Sequence, residues 1–369
     1  MNVFESKIEE AWNQYRNEKA NQLCPNIMLL GVTGAGKSSL INRIFGVNIA
    51  AVSNVKPETI GYDTFYRGKD YGISVNIIDT AGYEMDQAEL YYNEIKNSII
   101  NGVKGEAVHI AWYCIPIVKK RIEDMDIYIL KNLLKETSIR KRLCIVFTKC
   151  DEDDEQSTVA NTFKEILKNE VSPNLPSFET STFPDLSLDL EKLIQWSANS
   201  IDDVDLRNNF IASQFVDLES KKNEAKKIIA TGAAAAAAAG AIPLPFADSI
   251  VLVPIQVKMI ASIIDIYGVT SLASISSTVV SDVVISQLGR SAAKALVSLI
   301  PGAGLILNIA TSTINATVAS SITTAIGFAI SEICYSNVRK YLNGETVYWD
   351  KIFDENIIKG YMKKFKKDS

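Results

Sequence analysis

The sequence predicts an α/β domain, a mostly parallel six-stranded sheet with helices on both faces, followed by an all-α hydrophobic helical domain. Three observations predict this. Short apolar runs such as NIMLL (26–30), SVNIID (74–79) and RLCIVF (142–147) each lead into a turn, with segments of helical character between them. Continuous apolar runs of this length suit strands buried on both faces of a parallel sheet. Charge usage then collapses: residues 228–331 hold only six charged residues, Asp248, Lys258, Asp265, Asp282, Arg290 and Lys294. Finally, 369 residues exceed what a single core organises.

The chain bounds follow from these shifts: an N-terminal amphipathic helix over 1–24, the α/β domain over 25–205, a connecting helix over 206–227, the hydrophobic helical domain over 228–335 and a terminal helix over 336–369. Phe4, Ile8, Trp12 and Tyr15 recur at helical spacing, and the first helix is expected to pack on the domain that follows it. The first 20 residues are charged throughout, which excludes a signal peptide. A net charge of −5 with pI near 5.3 argues against a broad nucleic-acid surface. The lysines between 359 and 367 read as a solvated helix end, with a small basic patch as the alternative. Five scattered cysteines, without metal-ligand spacing, read as the reduced thiols of a cytoplasmic chain.

The stretch GVTGAGKSS (31–39) sits between a predicted strand and a predicted helix. Its spacing fits a loop whose backbone N–H groups surround phosphates, formed by Gly31, Thr33, Gly34, Ala35 and Gly36 and by Ser38 and Ser39 at the helix start. Lys37 reaches the β- and γ-phosphates, and the Ser38 hydroxyl ligates Mg²⁺. DTAG (79–82) ends a strand 42 residues after Lys37. There Asp79 can hold Mg²⁺ through water, and the Gly82 N–H can meet the γ-phosphate. TKCD (148–151), carrying Thr148, Lys149 and Asp151, follows another buried strand. The Asp151 carboxylate accepts from guanine N1–H and its exocyclic amine, donors that adenine lacks in that place, so GTP and GDP are favoured over ATP. Ser197 and Ala198, in QWSANS (195–200), are read as the step that closes the base site.

Taken in order, these motifs resemble an Era-like P-loop GTPase of the translation-factor class over residues 25–205. The loop itself is also similar to those of septin-like and immunity-related GTPases. The resemblance implies a switch threonine on Mg²⁺ and the γ-phosphate. Thr59 and Thr64 are the candidates, and a spacing of 22 residues from Lys37 favours Thr59, with Thr64 in the following strand. Lys37, Thr59 and Gly82 are then the residues expected to act in hydrolysis. Three positions depart from the family: Thr148 where relatives carry Asn, Gly34 where potassium-activated relatives carry Asn, and Tyr83 where Ras-like enzymes carry the water-positioning Gln. With no evident water-positioner, intrinsic hydrolysis is expected to be slow, on the order of 10⁻⁴ to 10⁻² per second, and to be accelerated by self-association or a partner. His109 reads as a satisfied strand-edge residue, and Arg121 as an exposed cation with a role in trans as its alternative.

In the hydrophobic region, residues 228–247 and 295–331 are uncharged. Such helices must be buried, either in lipid or against protein, as a soluble bundle or homodimer interface. The segments 240–268 and 299–327 resemble a helical domain of unknown function found behind Era-like GTPases and in some bacterial membrane proteins. That resemblance implies association with the inner face of a bacterial membrane. Asp248 is read as a helix cap or an intramembrane carboxylate. Two further functions stay open beside a GTPase that controls this domain: an RNA or ribosome assembly factor, and a GTP-dependent scaffold with negligible turnover.

Overall fold

The computed structural model describes residues 3–46, 58–60, 63–71, 73–80, 88–103, 105–183, 186, 188–241, 244–245, 251–270, 313–314 and 316–368. Gly82, Tyr83, Asp248 and the uncharged run up to residue 312 from 295 lie outside them. The chain divides into two compact units, one of residues 23–217 and one that joins 1–22 to 218–369.

The first unit is built on a seven-stranded sheet in the order β2-β3-β4-β1-β5-β6-β7. β1 (Asn26–Leu30), β4 (Asn76–Thr80), β5 (Ile110–Pro116), β6 (Leu143–Thr148) and β7 (Ser177–Glu179) run parallel. β3 (Asp63–Tyr66) is antiparallel to β4, and the three-residue β2 (Glu58–Ile60) is antiparallel to β3 at the edge. Every residue of β1, β5 and β6 is buried, as apolar runs without alternation require when helices cover both faces. On one face Met28, Tyr113, Ile145 and Phe147 pack with Ile95 and Ile99 of α3 (Ala88–Asn101), Leu130 and Leu133 of α4 (Asp124–Leu133), Ile139 of α5 (Thr137–Arg140) and Phe163 of α6 (Thr158–Glu170). On the other, Trp112 meets α7 (Leu190–Asn199), and Phe45 of α2 (Lys37–Phe45) packs edge-on against Phe210 of α8 (Val204–Ser213) at 6.2 Å. The helix expected to connect the domains is thus part of this unit through residue 217, because the aromatic side of α8 is buried on α2.

The amino ends of the strands are tied by buried amides. Asn76 Nδ2 donates to Asn26 Oδ1 at 2.8 Å, and Asn26 Nδ2 donates to the Ala107 carbonyl at 2.8 Å. His109 Nδ1 accepts the Asn26 backbone N–H at 3.0 Å, and burial holds its imidazole below the usual pKa. This fixes β1 against β5 at the end remote from the glycine loop, a structural role.

The second unit is helical. α1 (Val3–Ala20) packs on α10 (Leu252–Ile266), which packs with α9 (Leu218–Gly240) and α11 (Ala316–Leu342); α12 (Glu355–Asp368) packs on α11. A short ladder of β8 (Leu244–Pro245) and β9 (Thr313–Ile314) is antiparallel. Glycines let the helices meet closely: a Cβ at Gly327 would lie 2.7 Å from Ile229 Cγ1, and one at Gly232 would lie 2.9 Å from Met259 Sδ. Buried Lys221 donates to the Ile266 carbonyl at 2.9 Å, where the C-terminus of α10 carries negative potential.

The first helix corrects the expectation that it packs on the α/β domain. Ile8 and Trp12 are buried in the helical unit, the Tyr15 hydroxyl donates to Asp265 Oδ2 at 2.6 Å, and Lys258 Nζ donates to Glu18 Oε2 at 2.8 Å. The physical reason is polar cover. α10 has ten buried positions and only Lys258 and Asp265 as charges, and the charged α1 both shields it and pairs with those two. Among the described residues no helix is long and apolar enough to cross a membrane.

Candidate functional site

The site residues gather at the carboxyl ends of the parallel strands, on either side of the point where sheet order reverses between β1 and β5. The loop after β1 is shaped by Gly31, Gly34 and Gly36, at φ 121°, 76° and 85°. At Gly31 no side chain fits, because a Cβ would stand 2.3 Å from the Cys114 carbonyl oxygen of β5. Gly36 caps α2 in the left-handed region with no side-chain bond to the first turn and no acidic residue there. The N–H groups of Lys37, Ser38 and Ser39 therefore open a nine-residue helix without a competing anion, and both serines are exposed.

Lys37 is buried and folds over the loop, donating to the Gly31 carbonyl at 3.0 Å. Its Nζ lies 3.8 Å from Asp79 Oδ1 at the end of β4. That oxygen is buried and accepts no hydrogen bond. Burial raises the Asp79 pKa, against the opposing pull of Lys37. A buried carboxylate oxygen with an ammonium group 3.8 Å away but no hydrogen bond is costly unless something is brought to it. A hydrated divalent cation supplies that partner, so the residues fit Mg²⁺ held through water by Asp79 and directly by Ser38. Among the described residues no group of three or more His, Cys, Asp or Glu forms a separate metal site.

The end of the site expected to take the base is built by β6 and β7. Thr148 Oγ1 donates to the Ala35 carbonyl at 2.5 Å, tying the loop after β6 to the phosphate loop across 113 residues. Threonine in place of asparagine thus still makes that tie. Lys149 enters the turn at φ 61° and lays its stem over Gly36. In the acidic run that follows, Asp153 accepts from the Ala160 N–H at 2.9 Å and Asp154 from the Thr158 N–H at 2.9 Å. Those carboxylates cap α6. Asp151 instead accepts the Ser181 hydroxyl at 2.7 Å, which leaves most of its acceptor capacity for another ligand.

Ser197 and Ala198 are a correction. They lie within α7 and do not close the site: the Ser197 hydroxyl accepts the Trp112 indole N–H at 3.0 Å beneath the sheet. Leu190, Leu193, Ile194, Ser197 and Ala198 are the buried face of that helix. The residues that do reach Asp151 follow β7. The Thr180 N–H donates to the Phe147 carbonyl at 2.8 Å, the Cys150 N–H donates to the Thr180 carbonyl at 3.1 Å, and Ser181 then meets Asp151. Their trace in the sequence is the run SFETS (177–181), too short to mark a strand.

Thr59 lies in β2, in register with Thr64 of β3, which in turn is in register with Asp79. Arg121 stands in the turn after β5, on the same carboxyl edge, 70% exposed with Nε 3.2 Å from Glu123 Oε1. The thiols of Cys114 and Cys150 are pushed up to about 12 by burial and stay neutral near the site.

A glycine loop closing on a helix start, a lysine against it, an aspartate beside that lysine at the neighbouring strand end and a further aspartate after β6 stand on a sheet of the P-loop GTPase fold. Residues 26–149 match the family described as 50S ribosome-binding GTPase, MMR_HSR1. GTP-binding protein A of Dictyostelium discoideum is 36% identical over 99 residues, 27% of this chain and 20% of that protein. Translocase of chloroplast 34 of Arabidopsis thaliana is 31% identical over 127 residues, 33% of this chain and 37% of that protein. GTPase Der of Chlamydia pneumoniae is 27% identical over 139 residues, 37% of this chain and 27% of that protein. The chain thus spans only 20% to 37% of the length of these relatives.

Proposed function

We propose that the chain binds GTP with Mg²⁺, hydrolyses it slowly to GDP and phosphate, and uses nucleotide state to control its helical unit. The observation that carries this reading is Asp79, a buried carboxylate oxygen with no hydrogen-bond partner, 3.8 Å from the lysine of a phosphate loop. When bound, Mg²⁺ would supply positive charge beside the phosphates. The chain's residues then divide the work. The N–H groups from Gly34 to Ser39, with Thr33 beside them, hold the phosphates; Lys37 neutralises the transferring group; Ser38 and Asp79 hold the ion. Thr59 and Gly82 are the residues assigned to the γ-phosphate and to release after hydrolysis. Thr148, Lys149, Asp151 and Ser181 form the base end.

Turnover is proposed to be slow on its own and to rise when two copies meet, with Arg121, 70% exposed on that edge, to reach a neighbour's phosphates. The helical unit is the proposed effector, by dimerisation or by association with the cytoplasmic face of a membrane. Single-turnover hydrolysis at several protein concentrations, with Lys37→Ala as control, tests the enzyme; fast turnover independent of concentration would sink the self-association step, and no turnover would leave a GTP-dependent scaffold. Identical oligomeric state and vesicle partition with a GTP analogue, GDP and no nucleotide would refute control of the helical unit.

A second reading is favoured by the family match over 26–149, whose description names the 50S ribosome. On that reading the chain is a ribosome assembly GTPase. Salt-sensitive, GTP-dependent co-sedimentation with large subunits would support it over the first.

A further inference from the structure

We infer that the two places where the chain crosses between its units form one relay, which passes nucleotide occupancy from the phosphate loop into α9. The relay rests on the nucleotide binding proposed above and names its route to the helical unit. The nucleotide unit is an insertion: the chain enters it after residue 22 and leaves it after residue 217, so α1 and α9 flank it in sequence.

Within that unit the entry and the exit are fastened together. Buried Asn209 of α8 donates through Nδ2 to the Leu23 carbonyl at 2.9 Å. Two residues on, the Pro25 carbonyl accepts the Asn76 N–H at 2.9 Å, which ties the entry to the first residue of β4. On the exit side the Ser74 N–H, just ahead of β4, donates to Ser213 Oγ at 2.9 Å. The Phe215 N–H donates to the Ile44 carbonyl of α2 at 2.8 Å. The Phe215 ring closes over the end of that helix, since a Cβ at Gly46 would lie 3.1 Å from its Cδ2.

The elements fastened here carry the phosphate-binding residues at their other ends. β1 leads from the entry to Gly31, α2 begins with Lys37, and β4 runs from Asn76 to Asp79 and Thr80. About 10 Å of helix separates Lys37 from the Ile44 carbonyl. Lys37 donates to the Gly31 and Val32 carbonyls at 3.0 and 3.4 Å, bonds that bound phosphate would replace. Ligand that fixes one end of β1, α2 and β4 also restricts the far ends, and sites linked in this way are coupled without any large displacement.

The exit is built to carry that restriction onward. Gln214 is fully buried, and its Oε1 accepts the Val216 and Asp217 N–H groups at 2.7 and 2.8 Å while Nε2 donates to the Asp217 carbonyl at 2.9 Å. Gln195 Nε2 of α7 donates to Asp217 Oδ2 at 3.1 Å. One glutamine thus closes the turn from inside, and α9 starts at the next residue, Leu218. A solvated, Gly/Ser-rich linker would let the units move independently; this connector is hydrogen-bonded along its length.

The test is amide hydrogen exchange of the full chain, nucleotide-free, with GDP and with a non-hydrolysable GTP analogue, beside a nucleotide titration of the same samples. Nucleotide is expected to slow exchange about tenfold at Phe215, Val216 and Asp217 and over residues 222–228 of α9, and to leave residues 330–340 of α11 within about twofold. Gln214→Ala keeps nucleotide affinity within about threefold and keeps the slowing in α2, but brings the response of 222–228 to within about twofold. Where that variant does not fold, Ser213→Ala, which removes the tie to Ser74, decides by the same reading. Bound nucleotide with unchanged exchange at 215–217, or an undiminished response of α9 in the deciding variant, overturns the relay and leaves nucleotide binding standing. No binding in the titration defeats the proposed function itself, and the relay with it.

Discussion

The Ser181 hydroxyl donates to Asp151 Oδ1 at 2.7 Å, while the Trp112 indole donates to the Ser197 hydroxyl at 3.0 Å, and the two serines consequently have separable duties. Ser181→Ala removes a charge-assisted bond that orients the carboxylate proposed to read the base. Such a bond is worth about 1.5–3 kcal/mol to the fold, and Ser181 also accepts the Phe183 N–H, so the variant melts lower and, in addition, loses GTP affinity several-fold. Ser197→Ala acts on stability alone. It strands a buried indole N–H, lowers stability by about 1–3 kcal/mol and leaves nucleotide affinity alone. Fluorescent-nucleotide titration beside thermal melting distinguishes them; a loss of affinity in the Ser197 variant alone would restore the assignment read from sequence.

What was legible in the sequence is what is local. Gly31, Gly34, Gly36 and Lys37 are declared by adjacent spacing, and Asp79 and Asp151 by their places at the ends of apolar runs. The glycine geometry, the parallel strands and the helical second unit follow from those patterns. Ser181 was not legible, because β7 has only three residues and offers too short a run to mark as a strand. α7, with its apolar face spaced like a helix, drew the assignment instead. The partner of α1 was equally hidden. Nothing near Tyr15 in sequence announces Asp265, 250 residues away, and the sparse charges of α10 acquire meaning only once the charged helix lies over them.

Asp151→Asn should exchange the base. On the proposed reading the carboxylate accepts from two N–H groups of guanine, whereas an amide offers one acceptor and one donor. Guanine's exocyclic amine then meets an N–H, and xanthine, with a carbonyl at that place, is matched. GTP affinity is expected to drop about a hundredfold or more and xanthosine triphosphate to bind better than GTP. Competition between the two nucleotides against a fluorescent probe reads the ratio; a variant that still prefers GTP would place the base elsewhere.

Asp79 sets activity against stability. Its pKa is raised above the unfolded value, chiefly by burial, so the ionised group weakens the nucleotide-free fold. The sign follows: the penalty is present at pH values above the raised native pKa and disappears as pH falls through it towards the ordinary carboxylate value, about 3.9. Asp79→Asn in the nucleotide-free, metal-free chain should therefore raise the melting temperature of this unit at pH 7, by about 2–4 °C, and the gain should shrink towards pH 4. The same variant should lose most of the Mg²⁺ dependence of GTP binding. A lower melting temperature at pH 7 would mean that the attraction of Lys37 outweighs burial.

α1 is predicted to hold the helical unit shut. Tyr15 donates to Asp265 Oδ2 at 2.6 Å, Thr270 donates to Oδ1 at 2.5 Å, and Lys19 stands 4.0 Å away, so one part-buried carboxylate fastens three residues. Burial and the Asp265 charge hold the Tyr15 hydroxyl well above its ordinary pKa, which keeps it a donor through the physiological range. Tyr15→Phe deletes one bond to a charged acceptor and should lower the stability of the helical unit by about 1.5–3 kcal/mol. Removing residues 1–22 altogether uncovers the buried side of α10 and should expose an apolar surface that binds a hydrophobic dye or drives aggregation. Nucleotide affinity is expected to stay within about twofold in Tyr15→Phe, since additivity holds for sites without shared partners. Calorimetry with and without GDP separates the two effects: a shift confined to the transition that nucleotide does not move supports the clasp, and a shift of the nucleotide-sensitive transition would assign α1 to the GTPase unit instead.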